Sequence, residues 1–151
     1  MTADEPTKEE ISFTEWVLYM GLALSLMSMI AYVAIVLTRV FTDDVSVTKV
    51  AWQGPMLLVV AVGGGLYGIG YGIVRLVHKG RVEDARDKEI ERYAESINGG
   101  LVGLTVFVSI LLLALEVEPF WVAHNLFLGG WFASFVSTAG RVAAYREGIP
   151  S

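Results

Sequence analysis

Long apolar runs separated by short polar stretches set the pattern of this chain. The runs are Trp16–Thr38, Pro55–Val74, Gly99–Leu115 and Phe120–Gly140, and none contains Asp, Glu, Lys or Arg. About 20 helical residues at ~1.5 Å each cross the ~30 Å hydrocarbon core of a bilayer. Lipid offers the backbone no hydrogen-bonding partner, so runs of this length must satisfy their own N–H and C=O groups as helices. The pattern predicts an all-α polytopic membrane protein with four transmembrane helices, at 16–38, 55–74, 99–115 and 120–140. They form a single membrane domain over residues 13–148, behind a polar tail at 1–12. Ser12-Phe13-Thr14-Glu15 fits a capping box where the first helix must begin.

The stretch from Arg75 to Ile97 interrupts this pattern and divides the runs into two pairs. It holds Arg75, Lys79, Arg81, Arg86, Lys88 and Arg92, six of the chain's 11 Lys and Arg residues. Within it, 82–97 reads as an amphipathic helix. Ile90, Tyr93, Ala94 and Ile97 share one face, and Arg86, Glu89, Arg92 and Glu95 form opposite-charge pairs at i,i+3 spacing. Gly80 is expected to end helix 2, and Asn98-Gly99-Gly100 to kink or restart the chain before helix 3.

Charge then orients the runs. With the N-terminus inside, the cytoplasmic segments hold Lys8, the six residues above, Arg141 and Arg146, while the opposite side holds only Arg39 and Lys49. Basic residues favour the cytoplasmic side. The expectation is two in–out–in hairpins joined by a cytoplasmic amphipathic helix, with both termini cytoplasmic, in the inner (cytoplasmic) membrane of a cell.

Two stripes of small residues mark packing faces. Gly64, Gly68 and Gly72 recur every four residues on helix 2, and Asn125, Gly129, Ala133 and Ser137 do so on helix 4. Small residues at that spacing let helix backbones approach closely. The helix 4 stripe is the natural partner for the helix 2 glycines or for a second copy, so self-association is expected. Trp16, Tyr19 and Trp52 suit the membrane interfaces, whereas Trp131 falls near mid-membrane, away from the usual aromatic belts.

Composition narrows the chemistry. The chain is 54% hydrophobic with a net charge of −5, and no basic face interleaved with aromatics appears, which argues against nucleic acid. Without cysteine there are no disulfides, thiol nucleophiles or thiolate metal sites. The acid-rich start and long first apolar run do not have the form of a cleavable signal, so helix 1 is expected in the mature protein. Almost no ionisable residue, and no carboxylate, stands within the apolar runs, which disfavours a proton-coupled carrier with a carboxylate at the midplane. Serines lack a neighbouring base, and the helix 2 glycines lack the Lys-Ser/Thr ending of a phosphate loop.

One outer cluster remains. Glu116, Glu118 and His124 are close in sequence, with Asn125 beside them, and carboxylates with an imidazole are ligands for a divalent cation. The spacing matches no specific metal motif, and the acids read more readily as solvated loop residues, with His124 and Asn125 bonded to nearby backbone or a neighbouring helix. A haem shared by His78 and His124 is ruled out within one chain, because the two lie roughly 25 Å apart across the bilayer at ~1.5 Å per residue. No cofactor is expected.

Asp84-Ala85-Arg86-Asp87, Ile90 and Ala94, then Phe120-Trp121, Asn125-Leu126-Phe127-Leu128, Arg141 and Tyr145-Arg146-Glu147-Gly148 resemble a group of small prokaryotic four-helix membrane proteins of unknown function. The resemblance covers roughly 80–148, and Ala85 stands where the pattern carries an acid. It implies fold and membrane location and transfers no catalytic residue. The sequence reads as a non-enzymatic, self-associating membrane subunit that offers 82–97 to a cytoplasmic protein partner. The alternative is a small oligomeric transporter or channel with glycine-lined helices.

Overall fold

The computed structural model describes residues 13–77 and 85–149. The tail at 1–12 and the segment 78–84, with His78, Lys79, Gly80, Arg81 and Asp84, lie outside the described residues. Within them the chain is helical: α1 Phe13–Asp43, α2 Gln53–Val77, α3 Ala85–Ala114 and α4 Pro119–Glu147.

Three of these helices are long and apolar enough to cross a membrane, over Leu18–Asp43, Gln53–Gly70 and Ala85–Ala114. α4 is not among them, because His124, Asn125 and a scatter of Gly, Ser and Trp dilute its apolar residues. It is instead the helix with the most extensive burial. Phe120, Val122, His124, Ala133, Ser137, Val142 and Ala144 are all withdrawn from the surface.

The helices pack in the order α2–α1–α4–α3, and among the described residues no other pair is in contact. This differs from the expected bundle in which α2 meets α4. α3 and α4 form an antiparallel hairpin along nearly their whole length, from Ser109 beside Asn125 to Arg86 beside Tyr145. α1 lies on the other side of α4, and α2 meets only α1.

α3 also corrects the expected break at Asn98-Gly99-Gly100, for it runs unbroken through these residues. A glycine inside a helix costs about 1 kcal/mol relative to Ala. That is less than the packing gained by laying one continuous face on α4 from Ala94 to Ser109, both of which are buried. Thirty residues make a helix of about 45 Å, so α3 exceeds a ~30 Å hydrocarbon core.

The α3–α4 and α1–α2 connections are built differently from one another. α3 ends in a Schellman arrangement, with Val117 N–H on Leu112 C=O at 3.0 Å and Glu116 N–H on Leu113 C=O at 3.1 Å. Glu116 occupies the left-handed position usually given to glycine, at φ 54°. Glu116→Gly is expected to stabilise the protein by roughly 0.5 kcal/mol, since relief of the left-handed penalty is partly offset by unfolded-chain entropy. A fall in melting temperature for this variant would mean that the Glu116 side chain holds something in place.

The α1–α2 connection folds inward. Val50 is buried with Met29, Tyr32, Val36 and Phe120, and Val45, Val47, Trp52 and Met56 pack around them. Arg39 caps the turn by donating to the Ala51 carbonyl at 2.6 Å.

Candidate functional site

The polar groups of the apolar helices gather at two places, both on α4. The first is a seam with α3. Thr105 and Ser109 lie one turn apart on α3, and their hydroxyls donate back to the carbonyls of Leu101 and Thr105. Asn125 reaches across from α4, donating from Nδ2 to the Thr105 carbonyl at 2.9 Å and to Ser109 Oγ at 2.7 Å. One turn on, a Cβ added at Gly129 would stand 2.5 Å from both Thr105 Oγ1 and Cγ2, so only glycine fits. Ala133 is fully buried, and Ser137 Oγ donates to the Ala94 carbonyl at 2.7 Å. The predicted stripe Asn125, Gly129, Ala133, Ser137 is therefore a single packing face. Its partner is α3, not the glycines of α2.

The second place is an aromatic cage around His124, where α4 meets α1 and the α1–α2 connection. Nδ1 lies 2.7 Å from the Phe120 carbonyl, which only accepts, so Nδ1 carries a proton. In the neutral ring Nε2 then accepts from the Tyr32 hydroxyl at 2.7 Å. Phe120 stacks on the imidazole at 3.9 Å, and Trp52 meets its edge at 5.2 Å. Phe127 closes the cage against Tyr32 at 4.9 Å. Tyr32 is 2% exposed and His124 9%, so this hydroxyl–imidazole pair is a buried polar contact between α1 and α4. Both imidazole nitrogens are occupied, so the ring has no free lone pair to offer a metal or a substrate proton.

The proposed outer cation cluster is not assembled. Glu116 and Glu118 are exposed on the α3–α4 turn, while His124 points into the cage. Among the described residues no group of three or more His, Asp or Glu side chains converges on a common point. Trp131 donates from its indole N–H to the Ser25 carbonyl on α1 at 3.2 Å.

At the other end of the α3–α4 hairpin the quoted motif residues meet. Arg86 donates to the Tyr145 carbonyl at 3.1 Å, and the Tyr145 hydroxyl donates to Asp87 at 3.1 Å. Ile90 and Ala94 are buried beneath them. Arg146 stands over the Tyr19 ring of α1 at 5.4 Å. The apolar face of the expected 82–97 helix is thus spent on α4, leaving its charged face, with exposed Lys88 and Arg92, for any partner. Of the other basic residues expected to orient the chain, Arg75 is carried on α2, and Lys79 and Arg81 fall outside the described residues.

Burial first, and then the hydrogen bond to Asp87, raises the Tyr145 pKa above its ordinary value of 10.0. A phenol whose folded pKa is raised stabilises the fold below its unfolded pKa, and that contribution is lost as pH rises through the folded value. Tyr145→Phe is accordingly expected to flatten the alkaline side of the stability–pH curve above about pH 10, where tyrosine ordinarily ionises. Melting temperatures from pH 7 to 11 check this, and an unchanged alkaline slope would contradict it.

The α2 glycines stand apart from both sites. A Cβ added at Gly64, Gly68 or Gly72 would meet nothing within 4 Å. Comparison with protein-family models, curated proteins and solved structures gave no match.

Sequence reasoning had marked His124 and Asn125 without their partners, and had passed over Tyr32. The signal was present, since a tyrosine in the middle of an apolar helix carries a hydroxyl that must find a partner in hydrocarbon.

Proposed function

We propose that the chain is a four-span membrane protein with both termini cytoplasmic, acting as a non-catalytic subunit that assembles through α2. The observation that carries this reading is the unequal fate of the two small-residue stripes. Among the described residues, the α4 stripe is filled by α3, whereas the α2 glycines face open space on a helix that touches only α1. A helix this rich in glycine gives up backbone entropy and side-chain packing, which close approach by another helix restores. α4, held between α1 and α3, serves as the fourth span because its polar side chains are turned into helix contacts. The basic bias of nine residues to two supports the orientation.

The transporter alternative fares worse on the same grounds. Conduction of ions calls for polar groups facing a path. Tyr32, Thr105, Ser109, His124, Asn125 and Ser137 are instead engaged with the protein itself.

Gly68→Ile tests the assembly directly. Open space around Gly68 in the single chain means the variant keeps its helical fold in detergent, read by circular dichroism. Its mass in detergent by light scattering is expected to fall from an oligomer to one chain. A monomeric wild-type protein, or an oligomer unchanged by Gly68→Ile, overturns the reading.

A further inference from the structure

Among the described residues, Arg141 carries the one buried side-chain polar atom without a partner: its Nε is shielded and hydrogen-bonded to nothing. Buried polar atoms in native structures are otherwise nearly always paired, and those of a cation call for an anion. The residue stands on α4 just past the apolar run 120–140, half-buried, one turn before Tyr145. Gly140 beside it is pressed against Ile97 of α3, where a Cβ would come within 3.2 Å, and Val142 and Ala144 are buried. Arg141 is thus held at a fixed height by a close-packed stretch of helix.

Three nearby side chains are engaged elsewhere. Asp87 accepts from the Tyr145 hydroxyl, Arg86 donates to the Tyr145 carbonyl, and Arg146 lies over Tyr19. Asp87 and Glu91 act on Tyr145 electrostatically from α3 and Arg141 acts in the opposite sense, while among the described residues Arg141 Nε has no hydrogen-bond partner. In the orientation proposed above, on which this inference rests, the height of Arg141 is that of the inner-leaflet phosphates. That leaflet is enriched in anionic lipid, and a guanidinium matches a phosphate bidentately.

We infer that Arg141 is a headgroup site for an anionic phospholipid, its guanidinium holding the lipid phosphodiester at the cytoplasmic edge of the α3–α4 hairpin. The test uses the full chain in neutral detergent, with dioleoylphosphatidylglycerol, dioleoylphosphatidylcholine or inorganic phosphate added. Phosphatidylglycerol is expected to raise the melting temperature by several degrees and the other two to have little effect. Arg141→Gln is expected to lose the difference, and Arg92→Gln, an exposed cation on α3, to keep it. Equal shifts from phosphatidylcholine or free phosphate overturn the site, as does a full phosphatidylglycerol shift in Arg141→Gln. Should Arg141→Gln fail to fold, native mass spectrometry of the wild-type protein decides: one phosphatidylglycerol retained per chain supports the site, and none overturns it. A protein recovered from the soluble fraction without detergent would sink the membrane reading itself, whereas one that needs detergent but shows no headgroup preference sinks only the Arg141 site.

Discussion

His124→Ala is expected to cost about 3–4 kcal/mol of stability, the largest loss of any single substitution in the cage. Two effects add. Removing an imidazole packed between Phe120 and Trp52 leaves a cavity of aromatic size, which costs about 3 kcal/mol or more in a packed interior. The Tyr32 hydroxyl also loses its acceptor at a position 2% exposed, and an orphaned buried donor costs roughly 1–3 kcal/mol. Partial collapse of the cage keeps the total below the sum. His124→Phe separates the two effects, for it keeps a ring in place and orphans only the hydroxyl. Adding Tyr32→Phe to His124→Phe should then recover most of the remaining loss, because apolar groups replace both partners. Denaturation in mixed micelles measures each step. A double variant as unstable as His124→Ala would show that the hydrogen bond is not what the pair contributes.

Gly129→Ala has the second large effect. The added methyl would stand 2.5 Å from both Thr105 Oγ1 and Cγ2, and the Thr105 hydroxyl is tied to the Leu101 carbonyl at 2.9 Å. Rotation of Thr105 gives little relief, because a β-branched side chain is stiff and fills two of its three staggered positions. The helices must therefore part locally, stretching the Asn125 bonds one turn away. Overpacking of this kind costs about 1–3 kcal/mol. Thr105→Ala removes both clashing atoms, so the Gly129→Ala/Thr105→Ala pair is expected to regain most of the loss. A coupling on the order of 1–2 kcal/mol between the sites is the expected result of the double-mutant cycle. Strict additivity would mean that α3 and α4 do not meet at this register.

These sites mark where sequence reasoning succeeded and where it stopped. Helix positions were legible, because an apolar run of about 20 residues without charges has the length and composition of a membrane-crossing helix. The α4 stripe was legible as a packing face for the same reason that its partner was not. Small residues at fourfold spacing announce close approach, and Gly64, Gly68 and Gly72 matched as well as Thr105 and Ser109 did. The choice was decided by hydrogen bonds from Asn125 and Ser137 to α3, which spacing does not encode.

Continuity of α3 was hidden by Asn98-Gly99-Gly100, a local breaker overruled by packing on either side of it. Val45, Val47 and Val50 were hidden by their polar neighbours in a short connection, yet they help to close the floor of the cage. The partner of Arg86 and Asp87 was hidden because Tyr145 is 58 residues from Asp87. Across the hairpin the three form a clasp.

The central claim is that α4 pairs with α3 while the α2 glycine row is left for a second copy. Cysteine cross-linking in native membranes tests it most directly, since the chain has no cysteine of its own. Ser109→Cys with Asn125→Cys, whose native side chains meet at 2.7 Å, is expected to give an in-chain link with a short bifunctional thiol reagent, and Gly68→Cys alone a disulfide-linked dimer. An in-chain disulfide between Gly68→Cys and Ala133→Cys, with no dimer from Gly68→Cys alone, would contradict the account.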